Sequence, residues 1–167
     1  DSAKLDMLIG RRMPALNPEL YRYTDLMEDT LVLGFGGAHP LAAQNSASLA
    51  DCVAYPWVVA PPKNRVRVEL EARLREAGAP MPPMVGALSL EFVREMLRAD
   101  EYLCMLPASV GVALEQRGEL RVLPVELGIP TAPLAAIWRR ERSSTRQVRE
   151  FVSTLVSVVC AVRPSVP

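Results

Sequence analysis

Three short segments of the sequence combine polar side chains with the start of a predicted helix, each directly after a predicted strand. They are Pro61-Pro62-Lys63-Asn64, Leu88-Ser89-Leu90 and Pro107-Ala108-Ser109-Val110. In an open parallel sheet, ligands bind beyond the carboxyl ends of the strands, where helix N-termini present free backbone N–H groups and positive dipole ends. Lys63 adds a positive charge to this arrangement. The three segments therefore predict a binding site for a small ligand that carries a carboxylate.

A second interpretation of the same residues is purely structural. Asn64, Ser89 and Ser109 belong to the residue types that cap helices, because their side-chain oxygens accept hydrogen bonds from the first free N–H groups. Each residue taken alone fits a cap better than a ligand contact. Three of them at one edge of a sheet favour the ligand site, and both interpretations stay open at this point.

Residues suited to catalysis are scarce in this sequence. His39 is the only histidine, and its Gly-Gly-Ala-His-Pro context is typical of a hydrogen-bonded hinge residue or a surface histidine. The glycine motifs of nucleotide-binding loops and the common hydrolase motifs are missing. Glutamates in 69–76 alternate with arginines at helical spacing, which indicates a solvated helix face. We therefore expect no catalytic residues, no metal site and no cofactor; an enzyme that uses Ser89 or Asp100 is the weakest alternative.

The composition limits the kind of protein that this chain can be. The 167 residues are 50% hydrophobic, which is enough to bury a core and excludes a disordered segment. Lys plus Arg and Asp plus Glu both number 19, so the formal net charge is zero. Domains that bind nucleic acid usually carry a basic excess. We therefore expect that this chain does not bind DNA by itself.

The cysteines and the apolar runs point to a soluble protein. Cys52, Cys104 and Cys160 lie far apart among aliphatic residues, so we expect three buried small side chains rather than disulfides or zinc ligands. The apolar run at 151–162 is too short to span a bilayer, and the N-terminus lacks a targeting leader. The predicted location is the cytoplasm, without membrane contact.

Strands and helices alternate along the middle of the chain. The predicted strands there are 55–60, 84–88, 102–106 and 120–125, and the predicted helices are 65–77, 89–99 and 110–117. This alternation is typical of parallel βαβ units with helices on both faces of the sheet. Outside this region, the pattern predicts strands at 5–10, 30–35 and 134–138, an irregular segment at 16–24 and a final helix at 145–162.

Gly- and Pro-rich stretches near residues 36–40 and 128–133 divide the chain into two predicted lobes. Residues 41–129 form the second lobe, a small Rossmann-like sheet with helices on both faces. Residues 1–40 and 130–167, including the strand at 30–35, form the first lobe. A lobe that is split in sequence, with two crossing connections, is typical of hinged ligand-binding folds.

Several strings carry a family resemblance because of their order along nearly the whole chain. They are LDMLIGRR, EDTLVLGFGGAHPLA, LADCVAYPWVVAPP, a serine before LEFVREMLRAD, YLCMLPASV, GELRVLPVEL and LAAIWRRER. In this order they resemble the effector-binding domain of LysR-type transcriptional regulators. The resemblance implies the α/β, two-lobed fold of type 2 periplasmic binding proteins. It also implies that roughly fifty to sixty residues of the first lobe precede this sequence, so that this lobe is incomplete.

The resemblance implies a ligand-sensing role rather than catalysis. A small-molecule effector, typically an organic or aromatic acid, binds between two α/β subdomains and changes DNA binding by the regulator. Matched by position, the implied ligand-binding residues are Arg11, Pro61, Pro62, Lys63, Ser89 and Pro107. The other half of the family's cleft, a loop with Ser or Thr, matches no residue of this sequence. The alternative is a periplasmic-type solute-binding domain that acts in transport.

The resemblance also implies partners. The family contacts DNA through an N-terminal winged helix-turn-helix, which this sequence lacks, and regulators of this family pair through their effector domains. We expect a homodimer in which the predicted helices 65–77 and 145–162 contribute, and a tetramer for the full-length protein.

Overall fold

The computed structural model describes residues 5–13, 16–44, 47–99, 101–123, 125, 127–129, 131–142 and 145–162. The contacts divide the chain into two compact units. Unit 1 comprises Asp1–Asp29 with Thr131–Pro167, and unit 2 comprises Thr30–Pro130. The chain therefore passes between the units twice, after Asp29 and before Thr131.

Unit 1 is built on a three-stranded antiparallel sheet. Its elements are β1 (Met7–Arg11), β2 (Tyr21–Met27), β8 (Leu134–Arg139), a 3₁₀ turn (Arg140–Arg142) and helix α5 (Arg146–Val162). Strand β8 is central, with β1 and β2 on its two sides. Ala135, Ala136 and Ile137 of β8 are buried, and α5 contacts β2 and buries Val148.

Unit 2 is a five-stranded mixed sheet with helices. Its elements are β3 (Leu31–Phe35), a 3₁₀ turn (Pro40–Ala43), α1 (Leu49–Cys52), β4 (Trp57–Val59), α2 (Arg65–Glu76), β5 (Met84–Gly86), α3 (Leu90–Arg98), β6 (Leu103–Pro107), α4 (Ala108–Gln116) and β7 (Arg121–Leu123). The strand order is β5-β4-β6-β3-β7. Strands β5, β4 and β6 are parallel, as the alternating pattern predicts, whereas β3 runs antiparallel to both β6 and β7.

Alternate residues of β4 divide the core of unit 2 between the two faces of the sheet. Trp57 and Val59 pack in one cluster with Leu70 and Leu74 of α2. Val58, between them, packs in a second cluster that includes α3 and α4 side chains. This division follows from the two-residue period of a strand. Helices therefore cover both faces of the sheet, as predicted.

Two sequence predictions about strands are wrong. The segment 16–24, expected to be irregular, contains the first half of β2, because Tyr and Thr suit a strand and β8 supplies the pairing partner. The strand predicted at 30–35, expected in the first lobe, belongs to the sheet of unit 2. There β3 lies between β6 and β7, and Leu33 and Phe35 enter its core.

Within the part of the chain that the structure describes, the helices are too short or too polar to cross a bilayer.

Candidate functional site

The segments that follow β4 and β5 lie side by side. Val59 and Gly86 are register partners, and the N–H of Ala87 donates to the Val59 carbonyl at 2.8 Å. A β-carbon on Gly86 would lie only 3.1 Å from the Cα of Pro61, which is tighter than most such contacts, so this close approach favours a glycine. Strand β6 pairs with β4 on the other side and ends at Pro107. We call the residues directly after these three parallel strands (60–64, 87–89 and 107–109) the strand-end edge.

The loop after β4 holds Lys63 in an unusual backbone conformation. The N–H of Asn64 donates to the Pro61 carbonyl at 3.1 Å, which closes a four-residue turn. Lys63, at the third position, has a φ of 71° and is exposed to solvent. It is the only non-glycine residue with positive φ in the described part of the chain. A lysine in this left-handed region is strained, because its Cβ crowds the backbone.

Two of the polar residues at the strand-end edge do cap helices. The side chain of Asn64 accepts a hydrogen bond from the N–H of Val66 at 3.0 Å and caps α2. Ser89 Oγ accepts from the N–H of Phe92 at 3.3 Å and caps α3. As an acceptor in this bond, the Ser89 hydroxyl keeps its own hydrogen available for another acceptor. The cap therefore leaves room for a ligand contact at Ser89.

Large apolar side chains surround the Ser89 cap. Leu88 is 81% exposed and Phe92 is 43% exposed, although both belong to residue types that are usually buried. The sequence analysis did not single out these two residues; their positions directly before and three residues after the cap are the signal that could have found them. The edge thus offers polar donors beside an apolar surface.

The third segment is partly occupied by backbone bonds. Pro107 is half-buried, pairs with Leu31 across β6 and β3, and stands at the N-terminus of α4 without a side-chain cap. The N–H of Ala108 donates to the Thr30 carbonyl at 2.9 Å, so this amide is already satisfied. The sequence analysis expected free amides here, and the antiparallel neighbour β3 explains the difference.

Arg11 lies in unit 1, at the end of β1. Its guanidinium donates to the carbonyl of Asp29, to Asp29 Oδ2 at 3.3 Å and to the carbonyl of Ala132 at 3.0 Å. The structure thus brings together five of the six predicted ligand-binding residues at the strand-end edge of unit 2: Pro61, Pro62, Lys63, Ser89 and Pro107. Asp29 is a buried carboxylate that the sequence analysis missed.

The only histidine has a structural setting. His39 is buried, with its ring 4.5 Å from the ring centre of Tyr55 and 5.4 Å from that of Phe35. Its Nδ1 accepts from the N–H of Leu41 at 3.1 Å. The expectation of a hydrogen-bonded residue is confirmed, whereas a surface position is wrong. Asp100, named for the weakest enzyme alternative, lies outside the described residues.

The cysteines differ in exposure. Cys52 and Cys104 are buried as predicted, but Cys160 is exposed, because its position on α5 falls off the inward face. Desolvation raises the pKa of the Cys52 thiol to about 11 and that of the Cys104 thiol to about 12. Such thiols stay protonated and unreactive at neutral pH.

Comparison with known proteins decides the family. The family model of the LysR substrate binding domain matches residues 1–159. The chain belongs to this family. The match covers nearly the whole chain and confirms the resemblance carried by the ordered strings. Transcriptional regulators define this family, so the alternative of a transport protein is not favoured.

Solved structures share the fold of the LysR substrate binding domain described here. One of them is described as a transcriptional regulator from Vibrio parahaemolyticus. Its sequence is 22% identical, with a TM-score of 0.76 over 93% of this chain and 71% of that chain. The Synechocystis CcmR regulatory domain in complex with 2-PG is 14% identical, with a TM-score of 0.72 over 93% of this chain and 74% of that chain.

A third similar structure is the effector binding domain of QuiR in complex with shikimate. It is 14% identical, with a TM-score of 0.70 over 95% of this chain and 74% of that chain. Among curated proteins, none matches the sequence. These likenesses confirm the predicted α/β fold of the type 2 periplasmic-binding-protein kind.

Proposed function

We propose that this LysR substrate binding domain senses a small organic or aromatic acid, and that the strand-end edge of unit 2 supplies the contacts to its carboxylate. The observation that carries the proposal is the convergence of three strand ends in one sheet, with the strained residue Lys63 at one of them. Natural proteins keep such strain mainly where function requires it. In this proposal, the function is the binding of the acid's carboxylate by the positively charged side chain of Lys63.

The residues of the edge take different roles in this proposal. Lys63 supplies the positive charge, and the free hydrogen of the Ser89 hydroxyl donates to a carboxylate oxygen. Pro61, Pro62 and Pro107 fix the backbone at two of the strand ends. The exposed side chains of Leu88 and Phe92 provide apolar contact for the body of the acid. The small molecules bound to the CcmR and QuiR domains support a small-molecule effector in general.

The remaining roles of the domain follow from the family. We propose that it acts without catalysis, in the cytoplasm, and passes effector binding to DNA through a winged helix-turn-helix elsewhere in the regulator. We propose further that two copies pair through α2 and α5. Val68 on α2 and Phe151 and Val158 on α5 are about half exposed, which supports pairing through these helices. Light scattering that finds only monomer at tens of micromolar concentration contradicts the pairing.

A thermal-shift screen followed by calorimetry tests the binding site. An acid that binds the folded domain raises its melting temperature, so organic acids, aromatic carboxylates and neutral sugars form the panel. For the best acid, Ser89→Ala is expected to weaken binding by about 1–3 kcal/mol, the scale of a hydrogen bond to a charged group.

Ser48→Ala is the matched control, because Ser48 also caps a helix, α1, before the amino end of β4. Loss of the cap lowers stability by about 1 kcal/mol in both variants. Equal affinity in the Ser89→Ala and Ser48→Ala variants means that Ser89 is only a cap.

A further inference from the structure

Arg67, in the first turn of α2, differs from the other arginines of that helix. Its side chain is only 13% exposed, whereas the other three arginines of α2 are exposed to solvent. Its Nε donates to Glu71 Oε1 at 2.6 Å, and its Nη1 lies 3.5 Å from the carbonyl oxygen of Ala60. Ala60 is the first residue of the strand-end edge. The guanidinium of Arg67 therefore extends from α2 back to that edge.

The guanidinium of Arg67 keeps unused hydrogen-bond donors. A guanidinium has several N–H groups on its two sides, and the contacts to Glu71 and Ala60 occupy only some of them. Among the residues that the structure describes, no other acceptor lies within hydrogen-bond distance of this group. Donors of a charged group with so little exposure are costly to leave without acceptors. An oxygen of a ligand at the strand-end edge can serve as such an acceptor.

The charges around Arg67 also favour an anion. Lys63 and Arg65 lie close by in sequence, and the first turn of α2 contains no acidic residue. In the described part of the chain, neither Lys63 nor Arg65 makes an ion pair. Cations at the start of a helix are disfavoured by the helix dipole, and anions are favoured there. This stretch therefore has an excess of positive charge that a bound anion offsets.

We propose that Arg67 is a specificity-determining residue of the effector site, and that the effector is a dicarboxylic acid. One carboxylate binds at Lys63 and Ser89, and the second accepts hydrogen bonds from the unused N–H groups of Arg67. This inference rests on the proposed function, because it adds a second anionic group to the same ligand. It narrows the effector from an organic or aromatic acid in general to one with two carboxylates.

Matched pairs of ligands measure the contribution of the second carboxylate. Each pair consists of a dicarboxylate and the same molecule with one carboxylate replaced by a neutral amide. The pairs are succinate with succinamate, glutarate with glutaramate, and terephthalate with terephthalamate. Isothermal titration calorimetry on the parent chain gives both affinities. In at least one pair, the dicarboxylate is expected to bind about tenfold or more tightly than its amide, which is the scale of hydrogen bonds to a charged group.

Two arginines of the same helix provide the variant and its control. Arg67→Gln removes the guanidinium and is expected to equalise the affinities of the dicarboxylate and its amide. Arg73→Gln is the matched control, because Arg73 pairs with Glu69 and Glu76 on α2 and is 43% exposed. This control is expected to keep the preference for the dicarboxylate. If near-ultraviolet circular dichroism shows that Arg67→Gln does not fold, the double variant with Glu71→Gln replaces it, because it removes the guanidinium together with its partner carboxylate.

Several outcomes overturn the inference. They are equal affinities within every pair for the parent, a preference for the dicarboxylate that survives in Arg67→Gln, an equal loss of that preference in Arg73→Gln, and the failure of every pair to bind. The proposed function fails separately. It is contradicted only when no acid of the thermal-shift panel binds, or when Lys63→Ala leaves the affinity for a bound acid unchanged.

Discussion

Because Lys63 has a left-handed backbone conformation, two substitutions at this position can separate the effect of its charge on ligand binding from the effect of its backbone on stability. Lys63→Ala removes the charge but keeps a β-carbon at a φ of 71°. Lys63→Gly removes both, and glycine adopts this conformation without steric cost. The two variants therefore have the same charge and differ in backbone strain.

The size of the difference follows from the backbone alone. A residue with a β-carbon pays about 1–2 kcal/mol in the left-handed region, and glycine gives back about 0.5–1 kcal/mol through the greater freedom of the unfolded chain. We expect Lys63→Gly to be more stable than Lys63→Ala by about 0.5–1 kcal/mol, which corresponds to about 1–4 °C in melting temperature for a chain of this size. Lys63→Ala itself is expected to match the parent, because Lys63 is an exposed loop residue.

Urea denaturation measures this difference, with Gly78→Ala as an internal reference. Gly78 follows α2 at a φ of 65°, and a β-carbon there meets nothing within 4 Å. Its substitution therefore reports the cost of this conformation without any clash. Calorimetry with the best acid from the screen is expected to show the same loss of affinity in both Lys63 variants. A Lys63→Ala variant as stable as Lys63→Gly, alongside a destabilised Gly78→Ala, refutes the strain. An affinity equal to that of the parent in both Lys63 variants refutes the role of the charge.

Two further predictions concern titratable groups. A thiol reagent at neutral pH is expected to modify only Cys160 in the folded chain and all three cysteines in denaturant, because burial raises the pKa of Cys52 and Cys104; rapid reaction of a second thiol in the folded chain contradicts this burial. Hydrogen bonds from Ser48 lower the pKa of Asp51 below 3.8, so this contribution to stability is present above that pH and is lost as the pH falls through the lowered value. Acid unfolding of Asp51→Asn is expected to lose that part of the pH dependence, and an unchanged acid profile contradicts it.

Local sequence patterns were sufficient to predict helices α2 and α3 and the strand-end edge. The apolar spacing of 65–77 and the serine before 90–98 predict α2 and α3 closely, because a helix and its cap are set by residues a few positions apart. The carboxyl ends of β4 and β5 meet because consecutive parallel strands with a crossover helix are usually neighbours. Both features could therefore be read from the sequence.

Features that depend on distant pairing could not be predicted in this way. Strand β3 belongs to the sheet of unit 2 because it pairs with β6, far along the chain, and β2 forms because β8 lies beside it. The guanidinium of Arg11 donates to the carbonyl of Ala132, which lies far along the chain. Nothing in the local pattern around Arg11 indicates which carbonyl groups its guanidinium binds.

The most direct test of the proposed effector site is an amide footprint of the bound acid. Nuclear magnetic resonance of the isotope-labelled chain, titrated with the acid that raises the melting temperature most, locates the amides that respond. The account predicts the largest shifts at the strand-end edge, at Lys63, Ser89 and Ser109. Saturable shifts that leave this edge unchanged and cluster elsewhere in the chain contradict it.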